Sequence, residues 1–432
     1  MTSPHFQNLI LTSESFFSGE QFLRFQISFN CAELLPADPS SLISCSVIQV
    51  HWYHDEMPLP SASCPSLVLT HPTPHEIHYT HQQSSISWAG PLTRDQYIES
   101  EHQLASHLLA QPNGITHWVL IQPGPPGTPT QNERSVLASC ETIPKRCLIK
   151  ERDGAVRDGE VIGVAGVFCE PALRGRGYAG RMLRELALVL TRERDFVGSF
   201  LWSDIGPKFY ADLGWKPFPS THVELSASRS SPSSPSVFAR PILADDIAAL
   251  CAEDEDLLRT SMAGTLSSKT LLAIVPDRQT MSWHHKKEEY ICEKLFGKQP
   301  DVEGVAVGET GDRVWAIWTR GFYGAVDDPK VGNKLYILRL VIENLNSRDS
   351  ALHVEHLKAV LQAARREAAE WKLGHVEVWN LDPTLKNLIE RTGIEHRIVE
   401  REIEGIPSLF WFGKGTAEDR IEWVASQKYA WC

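Results

Sequence analysis

A glycine-rich turn lies between a predicted strand and a predicted helix in the first half of the chain. Residues 161–168 form an apolar run that predicts a buried strand, and Pro171 ends it. Residues 174–180 read Arg-Gly-Arg-Gly-Tyr-Ala-Gly, and the apolar face of the helix that follows consists of Met182, Leu183, Leu186, Val189 and Leu190. Glycines let a backbone approach a ligand closely, and the N–H groups at a helix N-terminus attract anions. The sequence therefore predicts a binding site for a pyrophosphate group.

Two other nucleotide-binding motifs fit this turn poorly. The turn lacks the Gly-Lys-Ser/Thr end of a P-loop. Gly175, Gly177 and Gly180 have the G-x-G-x-x-G spacing, but a dinucleotide site also needs an acidic residue about 20 positions further on, after a second strand. Asp195 is near that distance, yet it lies in the Arg-rich tail of the predicted helix.

Two motifs in the right order indicate a family. Arg174, Gly177 and Ala179 match the signature R/Q-x-x-G-x-G/A, and the chain thereby resembles the GCN5-related N-acetyltransferase (GNAT) superfamily. Members of that superfamily use this turn to hold the pyrophosphate of acetyl-CoA. Residues 199–203 then read as the next strand, and residues 207–215 as a short helix that contains Tyr-x-x-Leu-Gly-Trp, similar to the second motif of the family. The resemblance implies an α/β (α+β) fold with a mixed, twisted sheet flanked by helices.

The resemblance also implies which residues contact acetyl-CoA. The backbone N–H groups of residues 176–180 would bind the pyrophosphate, and the arginines of the turn would add positive charge. The end of the preceding strand would pair with the pantetheine arm. The residues expected at the acetyl-CoA site are Phe168, Cys169, Arg174, Gly175, Arg176, Gly177, Tyr178, Ala179 and Gly180. For the side chains of Phe168 and Cys169, the alternative to a role at the acetyl-CoA site is packing.

Acetyl transfer to an amine needs a neutral nucleophile and a proton for the departing thiolate. In the family motif, the tyrosine at the position of Tyr210 reaches the sulfur, and a phenol can donate a proton to a thiolate. Packing on Trp215 is the alternative role for Tyr210. The sequence does not identify the base that takes the proton from the amine. Glu170, just after the strand, and Glu160, at its other end, are the two candidates.

Composition bounds the class of protein. The chain has 432 residues, 42% of them hydrophobic, which is enough for two or three domains with their own cores. Its net charge of −12 provides no sequence-wide basic field for nucleic acid. No apolar run reaches membrane-spanning length, and the nine scattered cysteines suit free thiols in a reducing compartment. We therefore expect a cytoplasmic enzyme with neither nucleic-acid nor membrane partners.

The pattern along the chain predicts two related halves. Residues 1–65 have no long periodicity and are expected to be a poorly packed extension. Residues 66–224 would form the catalytic GNAT domain, and residues 225–238 are a Ser/Pro-rich linker. Residues 239–432 repeat the order of elements, but residues 342–349 have no glycine where the turn should be. We predict a degenerate GNAT-like domain there that does not bind acetyl-CoA.

Shorter matches suggest a subfamily. The opening Leu-Thr-His-Pro-Thr-Pro at residues 69–74, the Phe-Cys-Glu-Pro block at 168–171 and the ending Gln-Lys-Tyr-Ala-Trp-Cys at 427–432 resemble the fungal lysine N6-acetyltransferases of lysine catabolism. The resemblance covers residues 66–432 and implies free L-lysine as the acceptor. The aromatic tail at residues 429–432 is expected to line the acceptor pocket. Alternative acceptors are another small amine, a polyamine or a protein lysine, and a non-catalytic CoA-binding scaffold is a third class of function.

Four histidines near the start of the catalytic domain raise the question of a metal. They are spaced so that some share a helix face: His71, His75, His78 and His81. Pro72 and Pro74 break that pattern, and no cysteine or carboxylate completes a ligand set. We therefore expect no metal in this protein. Acetyl-CoA, as cosubstrate, is the one cofactor predicted.

Overall fold

The structure is a computed structural model that describes residues 9–11, 23–29, 49–54, 59–111, 114–124, 134–152, 154–192, 195–229, 238–344 and 350–431. The chain divides into two units, Met1–Ser61 and Ala62–Cys432. Nineteen strands lie in the described residues: β1 (Leu9–Leu11), β2 (Leu23–Phe29), β3 (Gln49–His54), β4 (Val68–Thr70), β5 (Thr116–Gln122), β6 (Ser135–Lys150), β7 (Arg157–Phe168), β8 (Phe196–Ser203), β9 (Lys216–Pro217), β10 (Thr221–Ser226), β11 (Ala239–Ile242), β12 (Thr270–Ile274), β13 (Gly304–Val307), β14 (Val314–Gly321), β15 (Lys334–Ile342), β16 (His375–Trp379), β17 (Arg397–Glu400), β18 (Ile406–Trp411) and β19 (Ile421–Trp423).

Nine α-helices lie in the same described residues: α1 (Pro74–Trp88), α2 (Arg94–Leu104), α3 (Tyr178–Leu190), α4 (Lys208–Ala211), α5 (Ile247–Gly264), α6 (Arg278–Phe296), α7 (Ser350–Glu370), α8 (Pro383–Arg391) and α9 (Ala417–Arg420). Short 3₁₀ helices occur at Leu108–Ala110, Pro171–Leu173 and Lys428–Ala430. None of the helices in the described part of the chain is both long and apolar enough to cross a membrane.

The first unit contains a small antiparallel sheet in the order β1-β2-β3. That residues 1–65 form a poorly packed extension stays a prediction. The sequence of β2, Leu-Arg-Phe-Gln-Ile-Ser-Phe, alternates apolar and polar residues over seven positions, which is the period of a half-buried strand. The signal was present in the sequence but was too short to stand out among the Ser/Pro-rich residues around it.

Two mixed sheets form the second unit. Sheet I has nine strands: its main path runs β19-β12-β6-β7-β8-β18-β9, and β5 pairs with both β4 and β6. Sheet II has seven strands in the order β11-β13-β14-β15-β16-β10-β17. The mixed sheets with flanking helices confirm the predicted fold class.

The two halves of the chain exchange strands. Sheet I receives β12, β18 and β19 from the second half, and sheet II receives β10 from the first half. The predicted linker at 225–238 therefore does not divide one sheet from the other: residues 225 and 226 belong to β10, and residues 230–237 lie outside the described part of the chain. Strand pairing over such separations has no local sequence signal, which is why the domain boundary could not be placed correctly.

One hydrophobic core is shared by the two sheets. It contains Ile149 and Phe200 from sheet I together with Trp315 and Leu338 from sheet II, all fully buried. The opposite face of sheet II packs on α7 and α8 through a second core. Because close packing transmits any change in shape across a core, the relative position of the two sheets is fixed by this shared layer.

Candidate active site

The glycine turn has the backbone conformation that the sequence predicts. Gly175 and Gly177 have φ of +76° and +86°, in the left-handed region that favours glycine. Gly177 is the N-cap of α3 and supplies no side-chain cap. The first N–H groups of an α-helix have no intrahelical acceptor, and the helix dipole places partial positive charge there. The turn is exposed, so these groups are open to an anion from solvent.

Helix α3 is held by the predicted apolar face. Met182, Leu183, Leu186 and Leu190 are buried, and Val189 is half-buried. The side chain of Tyr178 is also fully buried, so Tyr178 can reach a bound pyrophosphate only through its backbone. A rigidly packed helix keeps its N-terminus in place, which is what an anion site on that terminus requires.

The arginines of the turn have different partners. The Nε of Arg174 donates to the carbonyl of Cys169 at 3.0 Å, and its guanidinium lies 5.7 Å from the ring centroid of Phe168. Arg176 is exposed. Arg181, which the sequence reasoning did not single out, bonds Glu185 at 2.6 Å and the carbonyl of Ala62 at 3.1 Å. Arg174 therefore fastens the strand to the turn, and Arg176 is the arginine best placed to meet an exposed phosphate.

Strands β7 and β8 pair over only part of their length. Their parallel register ends at Gly163 and Phe200, although β7 continues to Phe168 and β8 to Ser203. On its other side, β7 has one extra residue relative to β6 between Ala165 and Phe168, and Gly166 there has a φ of +56°. A bulge of this kind bends its strand and redirects its backbone groups. Beyond Gly163 and Phe200, the backbone N–H and C=O groups of β7 and β8 therefore do not bond across from one strand to the other.

Tyr210 lies on α4, directly after β8. It is 8% exposed, and its ring packs edge-on against Phe209 with centroids 5.0 Å apart. Burial, followed by the charges of Asp204 and Cys140, raises the pKa of Tyr210 above its usual range. The phenol is therefore neutral at physiological pH and can act as a hydrogen-bond donor. Tyr210 follows the C-terminal end of β8, which is the end at which β7 and β8 separate.

Phe168 and Cys169, also predicted at the acetyl-CoA site, lie at the C-terminal end of β7. Phe168 is 5% exposed and meets Trp88 edge-on, with ring centroids 5.6 Å apart. Cys169 donates from Sγ to the carbonyl of Leu137 at 3.4 Å, and burial raises the pKa of its thiol. The side chains of Phe168 and Cys169 therefore have packing roles.

The two candidate bases are far apart. Glu170 accepts a hydrogen bond from the hydroxyl of Tyr79 at 3.4 Å, and together with Phe168 it lines a groove between β7 and α1. Glu160 is exposed at the opposite end of β7. Eight residues of strand separate Glu160 from Phe168, about 26 Å at 3.3 Å per residue. Glu160 is therefore too distant to act at the site, whereas Glu170 stays a candidate.

A carboxylate–imidazole pair that the sequence reasoning missed lies beside the bulge. His117 of β5 and Glu141 of β6 are cross-strand neighbours, with Nδ1 and Oε1 3.3 Å apart. A Cβ on Gly166 would lie 3.5 Å from the carboxyl carbon of Glu141. Burial favours the neutral form of each group, but their mutual attraction outweighs it: the pKa of Glu141 is lowered and that of His117 is raised.

Further histidines surround this pair. The ring centroid of His102 lies 6.1 Å from that of His78 and 6.3 Å from that of His81, and the centroid of His81 lies 6.2 Å from that of His117. Burial lowers the pKa of His81 to about 4, and its Nδ1 has no hydrogen-bond partner among the described residues. His78 and His81 lie on α1, which packs on α2, and α2 carries His102. The sequence indicated that some histidines share a helix face, but not that His102 and His117 lie near them.

One family model and two fungal proteins are similar to this chain. Residues 222–432 match the family model of the LYC1 GNAT-like C-terminal domain. The chain is 21% identical over 415 residues to a lysine acetyltransferase of Yarrowia lipolytica, covering 83% of this chain and 98% of that one. It is 22% identical over 400 residues to an uncharacterized Saccharomyces cerevisiae protein, covering 82% and 94% of the two chains.

Two solved structures align with this chain at TM-scores below 0.5. A GCN5-related N-acetyltransferase of Kribbella flavida aligns with 18% identity and a TM-score of 0.45, covering 79% of this chain and 70% of that one. The corresponding enzyme of Anabaena variabilis aligns with 13% identity and a TM-score of 0.46, over 80% and 73%. Residues 222–432 thus match a GNAT-like domain family, and the chain as a whole resembles the fungal lysine acetyltransferase of Yarrowia lipolytica over nearly all of that enzyme's length.

Proposed function

We propose that the protein transfers the acetyl group of acetyl-CoA to a primary amine, and that its acceptor is the ε-amine of free L-lysine. The observation that carries the proposal is the separation of β7 and β8 at their C-terminal ends. There the exposed glycine turn follows β7, the helix that carries Tyr210 follows β8, and Glu141 lies beside the bulge of β7. The acceptor is proposed from the lysine acetyltransferase of Yarrowia lipolytica, which this chain matches over nearly all of that enzyme's length.

In this proposal acetyl-CoA lies between β7 and β8. Its pyrophosphate meets the N-terminus of α3 and the side chain of Arg176, where the helix dipole and the guanidinium both favour negative charge. Its pantetheine arm pairs with the free backbone edge of β7 beyond Gly163. The bulge at Gly166 directs a backbone N–H toward the thioester oxygen, where negative charge develops during transfer.

Two proton transfers remain. A lysine ε-ammonium at pH 7 must lose a proton at a cost of about 4.6 kcal/mol, given its pKa near 10.4. Glu141 and His117 together would accept that proton, with the carboxylate stabilising the imidazolium. Tyr210, held neutral by burial, would donate its proton to the departing thiolate as the C–S bond breaks, and the proton that the amine nitrogen loses as the amide forms would restore the phenol. Glu170 is the alternative base, and Tyr79 would then orient it.

The second half of the chain would contribute to acceptor binding rather than to cosubstrate binding. β15, α7 and the parallel strand β16 repeat the order of β7, α3 and β8. Where β7 leads into the glycine turn, β15 leads into Glu343, whose carboxylate bonds Arg313 at 2.7 Å. A carboxylate buried at that point would repel the negative charge of a pyrophosphate. Residues 345–349, the rest of that connection, lie outside the described part of the chain.

The cellular setting is part of the same proposal. We place the reaction in the cytoplasm, as a step of lysine degradation. Six cysteines in the described residues are free thiols, and four of them are buried. Free thiols are typical of a reducing compartment. The predicted absence of nucleic-acid and membrane partners likewise remains an expectation.

Thiol release from acetyl-CoA across a panel of amines tests the proposal. The panel contains L-lysine, ornithine, a polyamine and a lysine-containing peptide. We expect L-lysine to give the highest kcat/KM, and Tyr210→Phe to lower kcat by about 10²- to 10⁴-fold, the range for loss of a general acid. Tyr290→Phe is the matched control, because it removes another buried hydroxyl that bonds Glu99 rather than the site.

The panel separates the alternatives. A higher kcat/KM for a polyamine or for the peptide would replace L-lysine by that acceptor. Thiol release that does not depend on any amine would contradict amine acetylation. A wild-type protein that binds CoA but releases no thiol with any amine would favour the non-catalytic scaffold.

A further inference from the structure

Two histidines and two glutamates share one face of sheet II. β10 and β16 are antiparallel neighbours in which Glu224 is directly opposite Glu377. His222 precedes Glu224 by two residues, and His375 precedes Glu377 by two residues. Since alternate residues of a strand point to the same face, all four side chains lie on the same side of the sheet. We call these four residues the His–Glu cluster.

The distances within the His–Glu cluster are short. The Nε2 of His222 lies 3.7 Å from an oxygen of Glu377 and 3.9 Å from an oxygen of Glu224. The Nε2 of His375 lies 3.1 Å from the same oxygen of Glu377 and 3.8 Å from that of Glu224. In a tetrahedral zinc site with bonds near 2.0 Å, ligand atoms are about 3.3 Å apart. The four histidine–carboxylate distances would therefore change by about 0.6 Å or less, and the ligand atoms of His222, Glu224 and Glu377 all lie within 4.8 Å of one another.

His222 is the member that nothing else in the fold explains. It is 7% exposed, and within the described part of the chain neither of its ring nitrogens has a hydrogen-bond partner. A buried polar group without a hydrogen-bond partner destabilises the fold unless a ligand satisfies it. Its Nε2 points at the two carboxylates, which is the arrangement that a bound cation would satisfy.

Without an ion, two basic side chains neutralise the negative charge of the two carboxylates. Lys334 donates to Glu377 at 2.9 Å, and Arg397 makes two bonds to Glu224 at 2.7 and 2.8 Å. Lys334 has another position available, because its ammonium already lies 5.7 and 5.8 Å from the ring centroids of Tyr336 and Tyr323. Arg397 is exposed and can stay on the outer side of Glu224 while that carboxylate binds an ion.

We propose that His222, Glu224 and Glu377 bind a divalent zinc ion, with His375 as the fourth ligand. Imidazole and carboxylate are both zinc ligands, and the mixed set does not suit Mg²⁺ or Ca²⁺, which prefer oxygen ligands. The indole N–H of Trp379 donates to the outer oxygen of Glu377 at 2.8 Å and would hold that ligand in place, as outer partners of metal ligands do. His375 and Glu224 are partly exposed, which gives the ion a path from solvent.

The ion would fasten the crossing strand of the fold. β10 comes from the first half of the chain, just before the predicted linker, and it completes sheet II between β16 and β17. A zinc ion that joins β10 to β16 would hold the two halves together at the edge of the shared core. It would have no part in acetyl transfer. This proposal departs from the sequence-based expectation that the protein holds no metal.

Zinc binding by tag-free full-length protein tests the proposal. The protein is treated with a chelator, exposed to Zn²⁺, dialysed and assayed for metal per chain. We expect one equivalent in the wild type and a Tm higher by a few degrees with zinc in hundredfold excess over its Kd. We expect no retained zinc and no shift in Tm in His222→Ala. His75→Ala removes an exposed histidine as the matched control.

A second variant keeps the test decisive if His222→Ala does not fold. Glu224→Gln preserves the shape of a half-buried side chain and should also abolish zinc retention. Cobalt can replace zinc as a visible probe, and its four-coordinate absorption should appear in the wild type and in His75→Ala only. A wild-type protein that retains no zinc, or a His222→Ala or Glu224→Gln protein that retains as much as the wild type, would overturn the proposal.

Discussion

Replacing Gly175 by alanine tests whether the glycine turn acts by its backbone conformation. Gly175 has a φ of +76°, and a Cβ built on it meets no atom within 4 Å. Alanine therefore adds no contact, and its effect is limited to backbone strain. The left-handed region disfavours an L-residue by about 1 to 2 kcal/mol. The turn is exposed and packing does not fix it, so we expect it to relax in the free protein and to be forced back when acetyl-CoA binds.

The strain would then weaken the affinity for acetyl-CoA and leave the free energy of unfolding nearly unchanged. A loss of 1 to 2 kcal/mol corresponds to a weakening of about 5- to 30-fold. We expect Gly175→Ala to raise the KM for acetyl-CoA by that factor, with kcat at saturation and Tm near the wild-type values. Isothermal titration with CoA should show the same change in Kd.

Gly297→Ala is the matched control. Gly297 has a φ of +67° at the C-cap of α6, and its Cβ would also meet no atom within 4 Å. The same strain at that helix end should lower Tm and leave the KM for acetyl-CoA unchanged. An equal KM in Gly175→Ala and Gly297→Ala would refute the role of the turn. A loss of Tm in Gly175→Ala equal to that of the control, with KM unchanged, would show that the turn is rigid and does not touch the ligand.

Three further predictions concern the interior of the fold. Glu141→Gln should lower kcat/KM most at low pH and least at high pH, because a free amine then needs no base; a loss independent of pH would contradict this. His81 has a pKa near 4 in the folded protein against 6.5 for a free imidazole, so only the unfolded chain takes up a proton between these values. Stability should therefore fall as pH falls from 6.5 to 4, by up to about 3 kcal/mol, in the wild type and in an exposed control, His75→Gln, but less in His81→Gln. Deleting residues 429–432 should abolish cooperative unfolding, because Tyr429 is fully buried and its hydroxyl bonds the carbonyl of Ile274 at 2.5 Å; an intact fold with a raised lysine KM would restore the expectation that the tail lines the pocket.

The tail shows why the sequence misplaced a functional element. Its aromatic residues were expected to line an acceptor pocket, and the structure instead places Tyr429 and Ala430 in the core that both sheets share. Lys428 is also buried: its ammonium lies 4.3 Å from the ring centroid of Trp379 and 3.6 Å from that of Trp431. Composition alone cannot tell an aromatic segment that lines a pocket from one that fills a core.

The sequence by itself determined the parts of the site that depend on neighbouring residues. The glycines of the turn, the apolar face of α3 and the position of Tyr210 after β8 follow from spacing over a few residues, and the structure has all three. Only the tertiary structure decided the features that depend on contacts between segments far apart in sequence. The exchange of β10 and β18 between the halves, the contact of Glu141 with His117 and the His–Glu cluster all join segments that are far apart in sequence. Local patterns fix φ, ψ and amphipathic faces, whereas partners across a sheet are chosen by the packing of the whole chain.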